Sequence, residues 1–346
     1  MRNYKEKVQN TSAHISNVFN SIFDTNGEFD SMTFDIVVGN PPYNRDDYLD
    51  FVRFGNKIAK RYTCMITPAK WQGKGGERNE AFRKEIVPYM SKIVYYPVAT
   101  DIFNIKEWDG ITYFLSVKDS LSETKEITNI SKWQNKFNTS STRQLGESLN
   151  NSFISILNKV RDSKNFNEIS INYEAYFDCK DASFVDDKHH TIEVLGGDSQ
   201  GNMQIDGYAN IDDLKHKDDI NKYKLIMHRM PGRNSTLVSD GTTYGNSEVK
   251  VIGKGAVCKD AYIVLATSDS IEELKCIMSY FNTKFVRGLT YCGCVGTSAG
   301  CKEYWRFVPD PGPFDHIFTD EELYKKYNLT DNEIDLIESV IKDRTE

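Results

Sequence analysis

The sequence predicts an α/β fold followed by a loop-rich α+β region, on three observations. Helical and strand-like patterns alternate over the first 118 residues. The strand-like stretches are short apolar runs, bounded by glycine and proline. From about residue 165 to 308 the alternation gives way to short, turn-rich segments such as VLGGDSQGN, MPGRNS, SDGTTYGNS and GCVGTSAG.

The elements follow in chain order. Ile15, Val18, Phe19 and Ile22 recur at helical spacing and predict a helix over 12–23. After a polar turn, Phe34, Ile36, Val37 and Val38 predict a strand over 34–39, buried on both faces. Asp46 and Asp47 suit the start of a helix running to about Arg61. Cys64–Thr67 reads as a short strand ended by Pro68, and WQGKGGERN (71–79) as a glycine-rich loop. Phe82, Ile86 and Val87 share one face of a helix over 80–90. Strands follow at 92–98 and 110–117, which together imply an open, parallel-type sheet. A weak strand at 126–130 sits in a polar stretch, and a helix is expected over 145–160. IEELKCIMSYFNTKFVRGL (271–289) predicts one long helix. Thr319 with Glu322, and Thr330 with Glu333, have capping-box spacing and predict two short terminal helices. The domain organisation expected is a first domain at 1–120, a linker at 121–145, a second domain at 146–310 and an acidic helical segment at 311–346.

Composition limits the classes open to the chain. It has 346 residues, enough for two cores, with 39% hydrophobic and 27% charged residues. No apolar run approaches a membrane span, and the first ten residues lack a signal-peptide core, so a cytoplasmic protein is expected. Seven cysteines argue for reduced thiols rather than a disulfide framework. The net charge of −7 is carried by residues 310–346, with eleven acidic and four basic side chains, so residues 1–309 are neutral overall. Within them, Arg53–Lys84 holds nine basic residues against Glu77 and Glu80. That stretch is a local positive field, either a solvated helix face or a phosphate-facing surface.

The chemistry is concentrated in FDIVVGNPPY, where an apolar strand stops on Asn40, Pro41, Pro42 and Tyr43. Open α/β sheets bind ligands at the carboxyl ends of their strands. The Asn40 side-chain oxygen and the Pro41 carbonyl are two acceptors, and Pro42 stiffens the turn that holds them. Such a pair can take both N–H bonds of a planar amino group like adenine N6. The nitrogen lone pair is then drawn out of conjugation with the ring. A base presented this way must leave its duplex, at a cost of a few kcal/mol. Stacking on Tyr43 offsets roughly 1–3 kcal/mol of that.

With those residues in view, DIVVGNPPY resembles the catalytic motif of adenine-N6 DNA methyltransferases. ITPAKW (66–71), AFRKEIV (81–87) and DIF…DGITYFL (101–115) are similar to the segments that follow it in Eco57I-like restriction–modification methylases. FNTKFVRGL (281–289), WRFVPDPGPF (305–314) and 319–342 resemble the end of that group's specificity region. The resemblance implies a partial Rossmann-like methyltransferase sheet followed by a target-recognition domain. It also implies S-adenosylmethionine as methyl donor and double-stranded DNA as partner, with Asn40 and Pro41 on the target amino group and Tyr43 on the flipped adenine.

Further DNA contacts are expected from the basic loops. Lys70, Trp71, Lys74 and Arg78 surround the glycine loop. His228, Arg229 and Arg233 flank a Pro-Gly turn suited to reading a groove. Arg287, Lys302 and Arg306 flank TYCGCVGTSAGC. Cys292, Cys294 and Cys301 lack paired metal-ligand spacing, so no metal is expected. The group's cofactor half, with its glycine-rich strand–turn–helix, would precede the Asn-Pro-Pro-Tyr strand. Only 39 residues precede Asn40, and those before the strand hold one glycine, Gly27. VIGKGAV (251–257) and GDSQGN (197–202) read as hairpin turns, so no cofactor-binding residue is assigned. A second protein chain, or a missing N-terminal half, is expected to supply cofactor binding. The alternative is a non-catalytic DNA-binding specificity subunit of a restriction–modification system.

Overall fold

The computed structural model describes residues 32–43, 46–73, 76–104, 110–121, 125–129, 140–143, 151–164, 166–179, 183–197, 202–230, 242–293, 299–300 and 302–344. The helix expected at 12–23 lies outside them. The described residues form a mixed α/β protein with three sheets, and the chain divides into two compact units, Met1–Ser152 and Phe153–Glu346.

The first unit is built on one six-stranded sheet. Its strands are β1 (Phe34–Gly39), β2 (Ala59–Pro68), β3 (Met90–Tyr96), β4 (Ile111–Val117), β5 (Lys125–Asn129) and β6 (Ser140–Arg143), in the order β1-β2-β4-β3-β5-β6. β1 runs parallel to β2, and β3 parallel to β5. The sheet is nevertheless mixed rather than parallel-type, because β4 lies antiparallel between β2 and β3. The stretch 121–145, expected to be a linker, contributes β5 and β6 to this sheet.

Helices α1 (Tyr48–Ile58), α2 (Lys70–Gly73) and α3 (Glu77–Glu85) accompany the sheet. Tyr48, Leu49 and Val52 of α1 and Phe82 of α3 join Trp71, Met65, Ile93, Phe114 and Ile127 in one core. Gly55 lets α1 lie close to β1 and β2, since a Cβ there would stand 2.5 Å from Met65 Cε. Pro88 follows α3 within a 3₁₀ turn over Val87–Tyr89, because its ring cannot continue the α-helix.

β1 corrects the expectation of a strand buried on both faces. Among the described residues it pairs on one side only, and Phe34, Ile36 and Val38 are 40%, 58% and 74% exposed. Val37, on the opposite face, packs against the core. An apolar run reads the same in sequence whether or not a neighbour covers it.

The second unit holds two three-stranded sheets and a helical region. β9 (Tyr223–His228) is flanked by β10 (Val249–Ile252) and β12 (Tyr262–Ser268), both antiparallel to it. β7 (Ile192–Gly197) lies between β8 (Met203–Ala209), antiparallel, and β11 (Ala256–Cys258), parallel. Phe177, Val194, Ile226, Ile252, Val257 and Val264 belong to one core shared by the two sheets.

Helix α4 (Ile154–Arg161) opens the unit. The long helix expected over 271–289 is two, α5 (Ile271–Asn282) and α6 (Lys284–Gly293), broken at Thr283 with ψ 145. Asp320 explains the break, since its carboxylate accepts the backbone N–H groups of Lys284 and Phe285 at 2.9 and 2.7 Å and so caps the restarted helix. After α7 (Lys302–Trp305), the terminal helices α8 (Asp320–Lys326) and α9 (Asp331–Val340) form where the capping spacings predict. Thr319 Oγ1 accepts the Glu322 N–H, and Glu333 accepts the Thr330 N–H at 2.8 Å.

Candidate active site

The register of β1 on β2 fixes where Asn40 stands. Gly39 pairs with Met65, so Asn40 emerges one residue later at the carboxyl edge shared by the two parallel strands. Asn40 and Pro42 are exposed, Pro41 is buried, and Tyr43 is half-buried. The exposed Asn40 thus lies beside a buried proline at the mouth of the sheet.

The next segment of that edge comes from the end of β2. The Ala69 N–H donates to the Gly110 carbonyl at 3.0 Å, and Trp71 Nε1 donates to Thr67 Oγ1 at 3.2 Å. Asp46 and Asp47, in the loop after Tyr43, and Asp50, in the first turn of α1, then pair with basic residues of α1, α2 and α3. Lys70 Nζ lies 2.7 Å from Asp46 Oδ1. Arg78 reaches Asp50 at 2.7 Å and Asp47 at 3.7 Å. Asp50, 1% exposed, also receives Arg53 at 3.0 Å, and Arg53 bridges to Glu85 at 2.6 Å. Sequence reasoning assigned the cations and missed Asp46, Asp47 and Asp50. The available signal was three acids within five residues, placed just before the basic run.

These partners change several expected roles. Trp71 is fully buried, with its ring against Phe82 and Phe114, so it is a core residue and not a phosphate contact. Lys70 and Arg78 are engaged by the carboxylates of Asp46, Asp47 and Asp50 and brace the loop. Arg83 Nη1 donates to the Trp71 carbonyl at 2.7 Å, and burial pushes its pKa down while Glu80 opposes that. Lys74 lies outside the described residues.

In the second unit, Arg287 is buried and donates to the carbonyls of Asn282, Tyr244 and Lys342, which corrects its expected place on a DNA-facing surface. Arg229 donates to the carbonyls of Asp260, Tyr173 and Glu174 and so holds loops together. His228 Nδ1 is engaged by the Met230 backbone, and its ring lies edge-on to Tyr262. Arg306 is half-buried over the Phe307 ring, whereas Lys302 is exposed, 3.9 Å from Glu168. Arg233 lies outside the described residues.

The two glycine-containing turns singled out in the sequence can be checked against a donor-binding strand–turn–helix. Gly253 and Gly255 turn the chain between β10 and β11, which belong to different sheets rather than one hairpin. Gly197 ends β7 of the β7–β8 pair. Neither Gly253 and Gly255 nor Gly197 is followed by a helix, as a donor-binding turn requires, so these turns do not fit S-adenosylmethionine. Among the described residues no cluster of His, Cys, Asp or Glu suits a metal, and no helix is long and apolar enough to cross a membrane.

No family model matches this chain, and no curated protein matches it. Among solved structures, the type IIL restriction-modification enzyme MmeI in complex with DNA is similar over 77% of this chain and 44% of its own, at 9% identity and a TM-score of 0.39. The type IIG restriction endonuclease BpuSI is similar over 86% of this chain and 49% of its own, at 10% identity and a TM-score of 0.37. The type I restriction-modification methyltransferase subunit from Streptococcus thermophilus is similar over 40% of this chain and 33% of its own, at 14% identity and a TM-score of 0.26. The chain spans a third to a half of those chains' length, and similarity at this level fixes neither fold nor activity.

Proposed function

We propose that this chain is the base-holding and DNA-contacting portion of an adenine-N6 DNA methyltransferase of a restriction–modification system. Its first unit corresponds, in this reading, to the second part of a Rossmann-like methyltransferase sheet, and its second unit to a target-recognition domain. The observation that carries the reading is the exposed Asn40 at the shared carboxyl edge of two parallel strands, with buried Pro41 behind it.

The chemistry belongs to three residues. The Asn40 amide oxygen and the Pro41 carbonyl each accept one N–H of an extruded adenine, which turns the N6 lone pair outward. Tyr43 stacks on the base. S-adenosylmethionine supplies the methyl group when bound. Its pocket is formed by polypeptide other than the described residues, and the unpaired edge of β1 is where such a part would continue the sheet. Lys302 and Arg306 contact DNA from the second unit. The protein acts in the cytoplasm.

The test is tritium transfer from labelled S-adenosylmethionine to unmethylated genomic DNA, with the chain alone and with a donor-binding partner. Incorporation is expected only with the partner, and Asn40→Ala abolishes it while leaving DNA affinity near normal. Retained incorporation in Asn40→Ala removes Asn40 from the mechanism.

A further inference from the structure

The first unit contains a cavity of about 610 Å³ that the methyl-transfer reading does not use. Its lining takes in the last turn of α1, with Asn56 and Lys57, and the amino-terminal part of β2, with Ala59, Arg61 and Thr63. Its lining includes Thr63, which pairs with Val37, so along the strands it lies three residues, roughly 10 Å, from Asn40.

Four cations line it, Arg53, Lys57, Arg61 and Lys118, and no carboxylate does. Arg53 is neutralised by Asp50 and Glu85. Among the described residues, Lys57, Arg61 and Lys118 have no carboxylate partner; Lys118 Nζ donates to the Ala59 carbonyl at 2.8 Å, and Arg61 lies against the Tyr62 ring. Like charges gathered without an acid repel one another, and an anion relieves that repulsion.

A second, independent feature lies on the cavity wall. Ser116 is 2% exposed and lines the cavity, yet its Oγ has no hydrogen-bond partner among the described residues. A buried hydroxyl left unmade costs about 1–3 kcal/mol, which a ligand oxygen would recover. Thr63, its cross-strand partner, lies beside it. Ile86, Ala59 and Tyr89 supply an apolar and aromatic wall. The volume falls within the range of small-molecule sites.

We propose that this cavity binds a nucleoside phosphate. The phosphate sits among Lys57, Arg61 and Lys118 with Ser116 Oγ as a hydrogen-bond partner, and the base packs against Tyr89 and Ile86. The proposal is independent of the role of Asn40. Calorimetric titration of the full chain with AMP and with inorganic pyrophosphate tests it, with a short duplex DNA as a parallel arm. Saturable AMP binding is expected. Lys57→Ala and Arg61→Ala, both at exposed positions, each weaken it about tenfold, or about 1.4 kcal/mol. Ser116→Ala weakens it further, and thermal unfolding identifies any variant that has lost its fold. Absence of saturable AMP binding overturns the proposal, as does AMP affinity unchanged in the Lys57→Ala/Arg61→Ala double variant. Loss of duplex affinity with AMP affinity unchanged also overturns it, and assigns the cavity to backbone phosphates.

Discussion

The Lys70 ammonium lies 2.7 Å from the Asp46 carboxylate, and that pair fastens the loop following Asn40–Tyr43 to the first turn after β2. Both side chains are partly exposed, so the pair is worth about 1 kcal/mol or less in stability. Its consequence is positional. Lys70→Met is expected to leave the denaturant midpoint nearly unchanged and to lower methyl incorporation several-fold, because the Asn40 turn is less firmly held. Parallel urea unfolding and tritium incorporation check the two halves of this prediction.

Asp50 is a different case. It is buried and serves both Arg53 and Arg78, so removing it leaves two guanidinium groups facing each other without their shared acceptor. Asp50→Asn is expected to destabilise the protein by about 3 kcal/mol. A urea midpoint equal to that of the parent would show that the network contributes nothing.

The edge strand predicts a solubility effect. Val38 is mostly exposed on a strand with one paired side among the described residues. Exposed apolar edges invite strand pairing with other chains, and a charge blocks it. Val38→Lys is expected to reduce self-association, seen as a fall in scattered light at high concentration. Stability should change by no more than about 0.5 kcal/mol.

The second unit carries a pH signature. Lys224 is buried, with Nζ donating to the Ile220 carbonyl, and burial pushes its pKa down to about 8 from 10.5. The unfolded chain therefore binds a proton that the folded chain does not between those values, and stability rises with pH there. Cys179 and Cys258, pushed up to about 12 by burial, act oppositely above their ordinary value of 9.0. The rise is thus confined to about pH 8–9. Unfolding free energies measured across pH 7–10 should show it, and Lys224→Met should remove it.

The parts of the fold legible in sequence were those set by local pattern. The Asn40 strand, α1, the strands at β3 and β4 and the Thr319 and Thr330 caps all follow from periodicity, proline placement and cap residues. What was not legible depends on partners distant in sequence. The antiparallel direction of β4 leaves no mark on its residues. Thr283 breaks a helix whose apolar period continues through it, because Asp320, 36 residues away from Lys284, supplies the second cap. Arg78 and Arg287 read as available cations, yet one is held by Asp50 and the other by three carbonyls. The position of Asn40 was legible because it needs only the end of an apolar strand.

The central claim is that Asn40 holds the exocyclic nitrogen of an adenine. Its most direct test is the identity of the methylated nucleoside in DNA from methylation-free cells expressing this chain with its genomic neighbours. Mass spectrometry of digested DNA is predicted to find N6-methyladenine with the parent chain and none with Asn40→Ala. Methylcytosine in place of N6-methyladenine, or N6-methyladenine at the parent level in Asn40→Ala, would contradict the account.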